Sequence, residues 1–324
     1  MKTPILNSSN LEDFNRIHPR KDLPYKAMYS SLWRAITLDP NAMLIPIDDH
    51  LVHRGDGVFE AFRSYNEVVY DMNAHLERLE KSAAGIELPL PMTRDEIRQI
   101  CLDLGKASQC ANATFRLYVS RGPGGFTTNP YESIGSQLYI VVTETKPYPE
   151  ALYQRGVSVG ISQFKTKEAP FCHIKNCNYL INVLMKKEAV DRKLDYTVSL
   201  DPKGFIAESS TENIALLNQK NELIAPTFDF KLRGTTLLRC FDLANSNKEQ
   251  LGVTAVRQDD LSIDDFKNAK EVMMIGTTMG VMPVSTFDGL TLKPPSSESF
   301  SIKMREILKQ DILSNKDRRD EYSK

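Results

Sequence analysis

The sequence predicts an α+β fold of two domains, and three observations carry that reading. The chain has 324 residues, too many for one ordinary core and enough for two. Stretches alternating with the period of a strand and stretches with the apolar spacing of a helix occur in both halves. A proline-rich run, Lys146-Pro147-Tyr148-Pro149, lies between them as a connector.

The elements follow in chain order. Residues 1–40 read as an N-terminal arm, because the first thirty or so are polar and hold Pro4, Pro19 and Pro24. A small domain is predicted over 41–146. It opens with a strand at Met43-Leu44-Ile45-Pro46-Ile47, and a hairpin turning at Asn66-Glu67 joins Val58–Tyr65 to Val68–Tyr70. Helices are expected at 73–85, with Leu76, Leu79 and Ala83 on one stripe, and at 93–108, with Ile97, Ile100, Cys101 and Leu104 on the other. In the strand Thr114–Arg121, Phe115, Leu117 and Val119 share one face, which leaves Arg116, Tyr118 and Ser120 on a second face able to line a polar site. The loop Gly122-Pro123-Gly124-Gly125 and the apolar strand Leu138–Thr143 close this half.

A large domain is predicted over 150–312. It begins with the strand Val157–Ile161, then a polar loop to Lys175 and a helix from about Tyr179 to Lys193 whose stripe is Leu180, Val183, Leu184 and Val190. Hairpins turn at Asp201–Gly204 and Asn218–Asn221, followed by a helix over 236–245 and a strand at Val272–Ile275. Residues 313–324 read as a solvated charged tail.

Composition excludes several functions. Hydrophobic residues at 41% and charged residues at 26% describe a globular chain, not a disordered or fibrous one. With 41 basic and 42 acidic residues the formal charge is -1, so no bulk field recruits nucleic acid or anionic membrane. No run approaches the roughly 18 apolar residues of a membrane span, and the first ten residues lack a secretory core. Five scattered cysteines show neither paired spacing nor zinc-ligand spacing and read as reduced packing thiols. No metal site is expected. A cytosolic enzyme acting on small molecules is the expectation.

Lys175 lies in Ala169-Pro170-Phe171-Cys172-His173-Ile174-Lys175-Asn176-Cys177-Asn178-Tyr179, a segment poor in charge that ends at a helix start. Burial there lowers an amine's pKa and suits it to Schiff-base chemistry. Glu208 follows 33 residues later at the end of an apolar hairpin strand, where a carboxylate can hold a protonated pyridine nitrogen. Arg233-Gly234-Thr235-Thr236, opening one helix, and Ile275-Gly276-Thr277-Thr278, following a strand, offer backbone N–H groups and hydroxyls to a phosphate.

Five ordered motifs carry a resemblance: His75-Leu76-Glu77-Arg78-Leu79, Ile174–Tyr179, Glu208 with Asn213, Gly234-Thr235-Thr236, and Gly276-Thr277-Thr278 ending in Met282-Pro283-Val284. Together they resemble the class IV aminotransferases, fold type IV of the pyridoxal-phosphate enzymes, from about Met43 to Asp288. The resemblance implies a small α/β N-terminal domain and a larger β-barrel-like C-terminal domain, with pyridoxal 5'-phosphate as cofactor. It implies Lys175 as the Schiff-base and proton-shuttling lysine, Glu208 at the ring nitrogen and Arg78 on the phosphate. It further implies Thr235, Thr236 and Thr277 as phosphate ligands, Leu232 under the ring and Tyr179 beside it. The stretch His18–Ser31, with Ile47–Gly55, is similar to the plant enzymes described as D-amino acid transaminase or aminodeoxychorismate lyase.

Substrate choice stays open. Phe126-Thr127-Thr128 stands where D-amino acid aminotransferases carry Arg-x-His, and Thr114 replaces the tyrosine that branched-chain aminotransferases place two residues before an arginine. The loop Ser120–Gly125 resembles a lyase loop without its arginine. Candidates for the substrate carboxylate are Arg54 and Arg116, each alternatively a structural ion pair; His53, Phe59 and Thr278 are further candidates near the substrate. His50 and His173 read as packing or surface residues. The resemblance implies amino transfer between an amino acid, of the D or branched-chain type, and a 2-oxo acid. The alternatives are lyase release of pyruvate and 4-aminobenzoate, or a non-catalytic binding protein on the same fold. A homodimer is expected from the family.

Overall fold

The computed structural model describes residues 24–322, and the strands fall into two sheets with separate cores. Numbered along the chain, they begin with β1 (Tyr25–Ser30), β2 (Ala35–Thr37), β3 (Gly57–Tyr65), β4 (Val68–Tyr70), β5 (Ala113–Ser120) and β6 (Gln137–Glu144). Then come β7 (Val157–Ile161), β8 (Tyr196–Leu200), β9 (Ile206–Ser209), β10 (Asn213–Leu217) and β11 (Glu222–Pro226). The last are β12 (Ala255–Asp259), β13 (Glu271–Gly276), β14 (Gly280–Phe287), β15 (Leu290–Thr291) and β16 (Arg319–Glu321).

The first sheet has the order β16-β4-β3-β5-β6-β1-β2. The period-two pattern read in β5 sets its buried face: Phe115, Leu117 and Val119 have no exposure and pack with Leu76, Leu79 and Ala83 of the helix Met72–Ala84 and with Ile97, Cys101 and Leu104 of the helix Arg94–Ser108. A complete capping box at Thr93 and Glu96 starts the second helix. The β3–β4 hairpin turns at Asn66 and Glu67, both with positive φ, as a two-residue hairpin of the right twist requires.

The second sheet runs β12-β11-β10-β13-β14-β7-β8-β9, and a β9–β10 pairing closes six of these strands into a barrel. Alternation along β13 serves two cores: Val272 and Met274 fill the barrel interior, while Met273 and Ile275 face outward. There they meet Leu237 and Cys240 of the helix Thr235–Ser246 and Met304 and Leu308 of the helix Phe300–Ser314.

Four expectations need correction. Residues 25–30 and 35–37, assigned to an arm, are strands of the first sheet, because β1 pairs along β6; the rest of that arm up to residue 23 lies outside the described residues. Met43–Ile47 is not a strand; Asp39 instead caps a short 3-10 turn just before it. The charged tail supplies β16, which pairs with β4 and delivers Tyr322, 4% exposed, into the first core. The helix Leu180–Asp191 forms as expected, but its buried residues are Met185 and Ala189, while Leu180, Val183 and Val190 are 69%, 58% and 61% exposed. The helix Phe300–Ser314 is an addition; Phe300, Met304, Ile307 and Leu308 carry the helical spacing that could have found it.

Candidate active site

Between the sheets lies a cavity of about 300 Å³, within the size range of cofactor sites. Eleven of the thirteen site candidates from the sequence line it: Lys175, Tyr179, Arg78, Glu208, Leu232, Thr235, Thr236, Thr277, Thr278, Phe59 and Arg116. Arg54 and His53 are the exceptions. The Arg54 guanidinium is exposed and bonds the carbonyls of His53 and Phe126, so in this chain it belongs to the loop surface.

Backbone pairing places Lys175. The short strand β4 pairs only with the last residues of β3, leaving the start of that strand a free edge, and the lysine segment takes it. Phe59 N donates to Lys175 O at 2.9 Å and Cys177 N to Gly57 O at 2.9 Å, while Lys175 N donates to Ser82 Oγ at 3.1 Å. The lysine Nζ then lies 4.6 Å from the centre of the Phe59 ring, which stands edge-on to Tyr179 at 5.1 Å. Burial first, then the Arg78 charge, push the amine's pKa down to about 8, near the range where a lysine acts as nucleophile and base.

Glu208 sits at the barrel's closure, opposite Asn213 in the β9–β10 pairing. Leu232 N donates to its Oε2 at 3.2 Å. Burial pushes its pKa up to about 7, against that hydrogen bond and the charges of Lys231, Lys175 and Lys167. A carboxylate so placed gains most from a cationic partner across the cavity.

The far end is built for an anion. The helix Thr235–Ser246 starts here with Gly234 before it, presenting unpaired N–H groups and the positive end of the helix dipole. A side chain at Gly234 would collide with Asn213 Oδ1, so glycine is required by close approach. Thr236 Oγ1 and Thr277 Oγ1 lie 3.3 Å apart, a pair of hydroxyls facing one spot. Arg78 comes from the helix beneath, its Nη1 on Arg233 O at 3.1 Å.

Arg78 is held by a residue that sequence reasoning missed. Glu60 has no exposure; it accepts from Arg78 Nε at 2.6 Å and Nη2 at 2.9 Å, and pairs with His75 Nδ1 at 2.8 Å. His75 Nε2 in turn reaches Thr235 Oγ1 at 3.3 Å. Although burial opposes ionisation, Arg78 and His75 hold the Glu60 carboxyl well below the usual range. The signal was available: Glu60 occupies the core face of β3 with Val58, Phe62 and Ser64, where an unpaired charge is not tolerated. Lys231, fully buried beside Glu208, was missed as well.

The remaining candidates fall outside. His50 contacts Gly125 O and Asp56, His53 contacts Asp48 O, and His173 is exposed. All five cysteines are unpaired. Among the described residues no cluster suits a metal ion and no helix is long and apolar enough to cross a membrane.

An amine, a buried carboxylate and a helix start surround one cavity, a set of groups that could hold a cofactor with a basic ring and a phosphate. Residues 57–287 match the family model for amino-transferase class IV, and the chain belongs to that family, whose members are pyridoxal-phosphate enzymes. It is 33% identical to the D-amino-acid transaminase, chloroplastic, of Arabidopsis thaliana over 96% of this chain and 83% of that one. It is 28% identical to the branched-chain-amino-acid aminotransferase of Escherichia coli K12 over 76% of this chain and 81% of that one. In fold it matches the branched-chain amino acid aminotransferase of Thermobaculum terrenum in its PLP-form, with a TM-score of 0.80 at 19% identity, covering 93% of this chain and 99% of that one. The protein is thus a transaminase of this class.

Proposed function

We propose that the chain binds pyridoxal 5'-phosphate in this cavity and moves an amino group from an amino acid, a D-amino acid as the first donor class, to a 2-oxo acid. The observation that carries the reading is the convergence of Lys175, Glu208 and the Arg78–Thr235–Thr236–Thr277 end in one cavity of cofactor size. The cofactor supplies a carbonyl carbon that condenses with amines and a ring that accepts the electron pair of a breaking Cα–H bond. Lys175 Nζ takes the substrate's α-proton and delivers it back on the cofactor side. Glu208 would hold the proton of the ring nitrogen, Leu232 and Tyr179 would bound the ring, the threonine hydroxyls would donate hydrogen bonds to the phosphate and Arg78 would bring it positive charge.

Arg116 receives the substrate carboxylate. It lines the cavity beside Phe59 and Thr278, donates to Thr143 Oγ1 at 2.8 Å, and has no acidic partner among the described residues. It also borders a wider groove of about 770 Å³ with Tyr25, Met28 and Tyr118, which provides room for a substrate side chain. D-amino acid donors are favoured by the 33% relative. The transaminase relatives above do not support the lyase alternative; the arginine that ends the lyase loop is replaced by Phe126, and Arg121 within the loop is committed to Asp56 and to the carbonyls of Ile86 and Glu87.

A homodimer fits the exposed apolar residues Leu180, Val183, Val190, Ile47 and Phe126, since patches of this kind mark association surfaces. Unpaired cysteines support a reducing compartment such as the cytosol, which fractionation checks.

The test is the absorbance of the cofactor-loaded protein with D-alanine, L-leucine, L-glutamate and D-glutamate, each alone. Conversion to the amine form of the cofactor with D-alanine or D-glutamate supports the D reading, and conversion with L-leucine only replaces it by the branched-chain one. No conversion with any of them, in protein that holds the cofactor, removes transamination of these donors.

A further inference from the structure

Lys231 immediately precedes the residue whose N–H binds Glu208, yet it does not line the cavity. It has no exposure, and its Nζ has no hydrogen-bond partner. Its nearest directional contact is the Phe228 ring, whose centre lies 4.8 Å from Nζ. An ammonium buried without a hydrogen-bond partner is costly, so such a group either gives up its proton or keeps it through a nearby opposite charge. The carboxylate at hand is Glu208, which the neighbouring Leu232 N–H bonds at 3.2 Å; burial pushes the Lys231 pKa down to about 7 against the pull of that carboxylate, and Lys231 leads the cations that oppose the burial of Glu208.

We propose that Lys231 is a positioning residue for Glu208, a cation behind the cavity wall that keeps this carboxylate ionised and ready for the cofactor's ring nitrogen. The inference rests on the assignment of Glu208 to that nitrogen. Other groups coupled to Glu208 are Lys167, Cys172, Lys175 and Tyr179 on the lysine segment and Arg78 on the helix beneath. Lys175 and Arg78 line the cavity and Lys167 is part-exposed and bonds Asn176 Oδ1, whereas Lys231 is fully buried outside the cavity lining, so bound cofactor and substrate leave it in place. The Phe228 ring face gives the ammonium the electrostatic support that water would otherwise provide.

The sign follows from proton counting. Below the pKa of Glu208 the free carboxyl and the free ring nitrogen hold two protons, while the bound pair shares one, so affinity falls as pH drops through that pKa. Removing Lys231 moves this acid limb upward.

The experiment measures cofactor affinity from pH 5.5 to 9 by absorbance after dialysis, for wild type, K231M, K231R, E208Q and the double variant K231M/E208Q. K231M is expected to shift the acid limb up by about one pH unit, a roughly tenfold weaker affinity at pH 6; K231R restores the wild-type limb, and K231M has no further effect on the limb in the E208Q background. A K231M profile parallel to wild type, or a shift that persists with E208Q, overturns the proposal. Failure of wild type itself to bind the cofactor overturns the functional reading instead. If K231M does not fold, 13Cε-lysine spectra of the wild-type and E208Q holoenzymes decide: a buried lysine titrating far below its usual range in wild type and lower still in E208Q supports the pair, and an unchanged titration defeats it.

Discussion

Lys175 meets the cofactor as an amine whose proton leaves near pH 8. Only the free base attacks a carbonyl, so the rate of cofactor capture by the apo protein should rise with pH and level off above about 8, read as growth of visible absorbance. Lys175→Ala should lower amino transfer by about 10²–10⁴-fold, the range a positioned general base contributes. Glu60 also depends on pH with a gain towards higher values, but through stability and in a more acidic window. Its carboxyl is held low by Arg78 and His75, so its stabilisation is complete above the ordinary glutamate range and is lost as pH falls through the folded value. Glu60→Gln should cost about 3–5 kcal/mol in urea unfolding, as expected when one partner of a buried ion pair is removed, and the loss relative to wild type should shrink at acid pH. Lys175 and Glu208 were legible because their neighbours form ordered motifs. Glu60 and Lys231 were missed: alternation along β3 marks Glu60 as core-facing without naming the Arg78 and His75 that neutralise it, and nothing local to Lys231 distinguishes a buried charge from an exposed one.

At the scale of elements, regular packing was readable and edges were not. The helices at 72–84 and 94–108 and strand β5 bury the residues their periodicity names, since each packs one face on a core. The stripe of the helix Leu180–Asp191 misled, because apolar spacing marks a face that will be covered without saying by what. The terminal strand was hidden by its charges: Arg98 pairs with Asp320 and Arg318 with Asp71, which turns a solvated run into an edge. Tyr322 anchors that edge, its ring over Gly105 and its hydroxyl bonded to Ser64 Oγ at 2.8 Å. Tyr322→Ala should destabilise the protein by about 3–5 kcal/mol, typical of removing a buried aromatic ring. Gly105→Ala should lower the melting temperature too, because its methyl carbon would sit 2.7 Å from that ring.

For the whole molecule, the sequence resolved which residues share a cavity better than which surfaces stay bare. Arg54, a cation left as a carboxylate candidate where the chain departs from the family patterns, bonds the carbonyl of the exposed Phe126 outside the cavity lining. If the bare faces are an association surface, Leu180→Asp with Val183→Asp should yield monomers by light scattering while a folded circular-dichroism spectrum is retained. The strand at 319–321 has a longer reach. It completes the sheet begun near residue 25, yet it follows the barrel in the chain and departs from a helix packed on that barrel. The last stitch of the first half is therefore made by the end of the second, so the first sheet is complete only once the chain end is in place. A fragment ending at residue 146 would expose the flank of β4 and leave empty the slot that Tyr322 fills, a state prone to pair with other chains. Synthesis order matters here: the first half must wait, unfinished, until the barrel has been made.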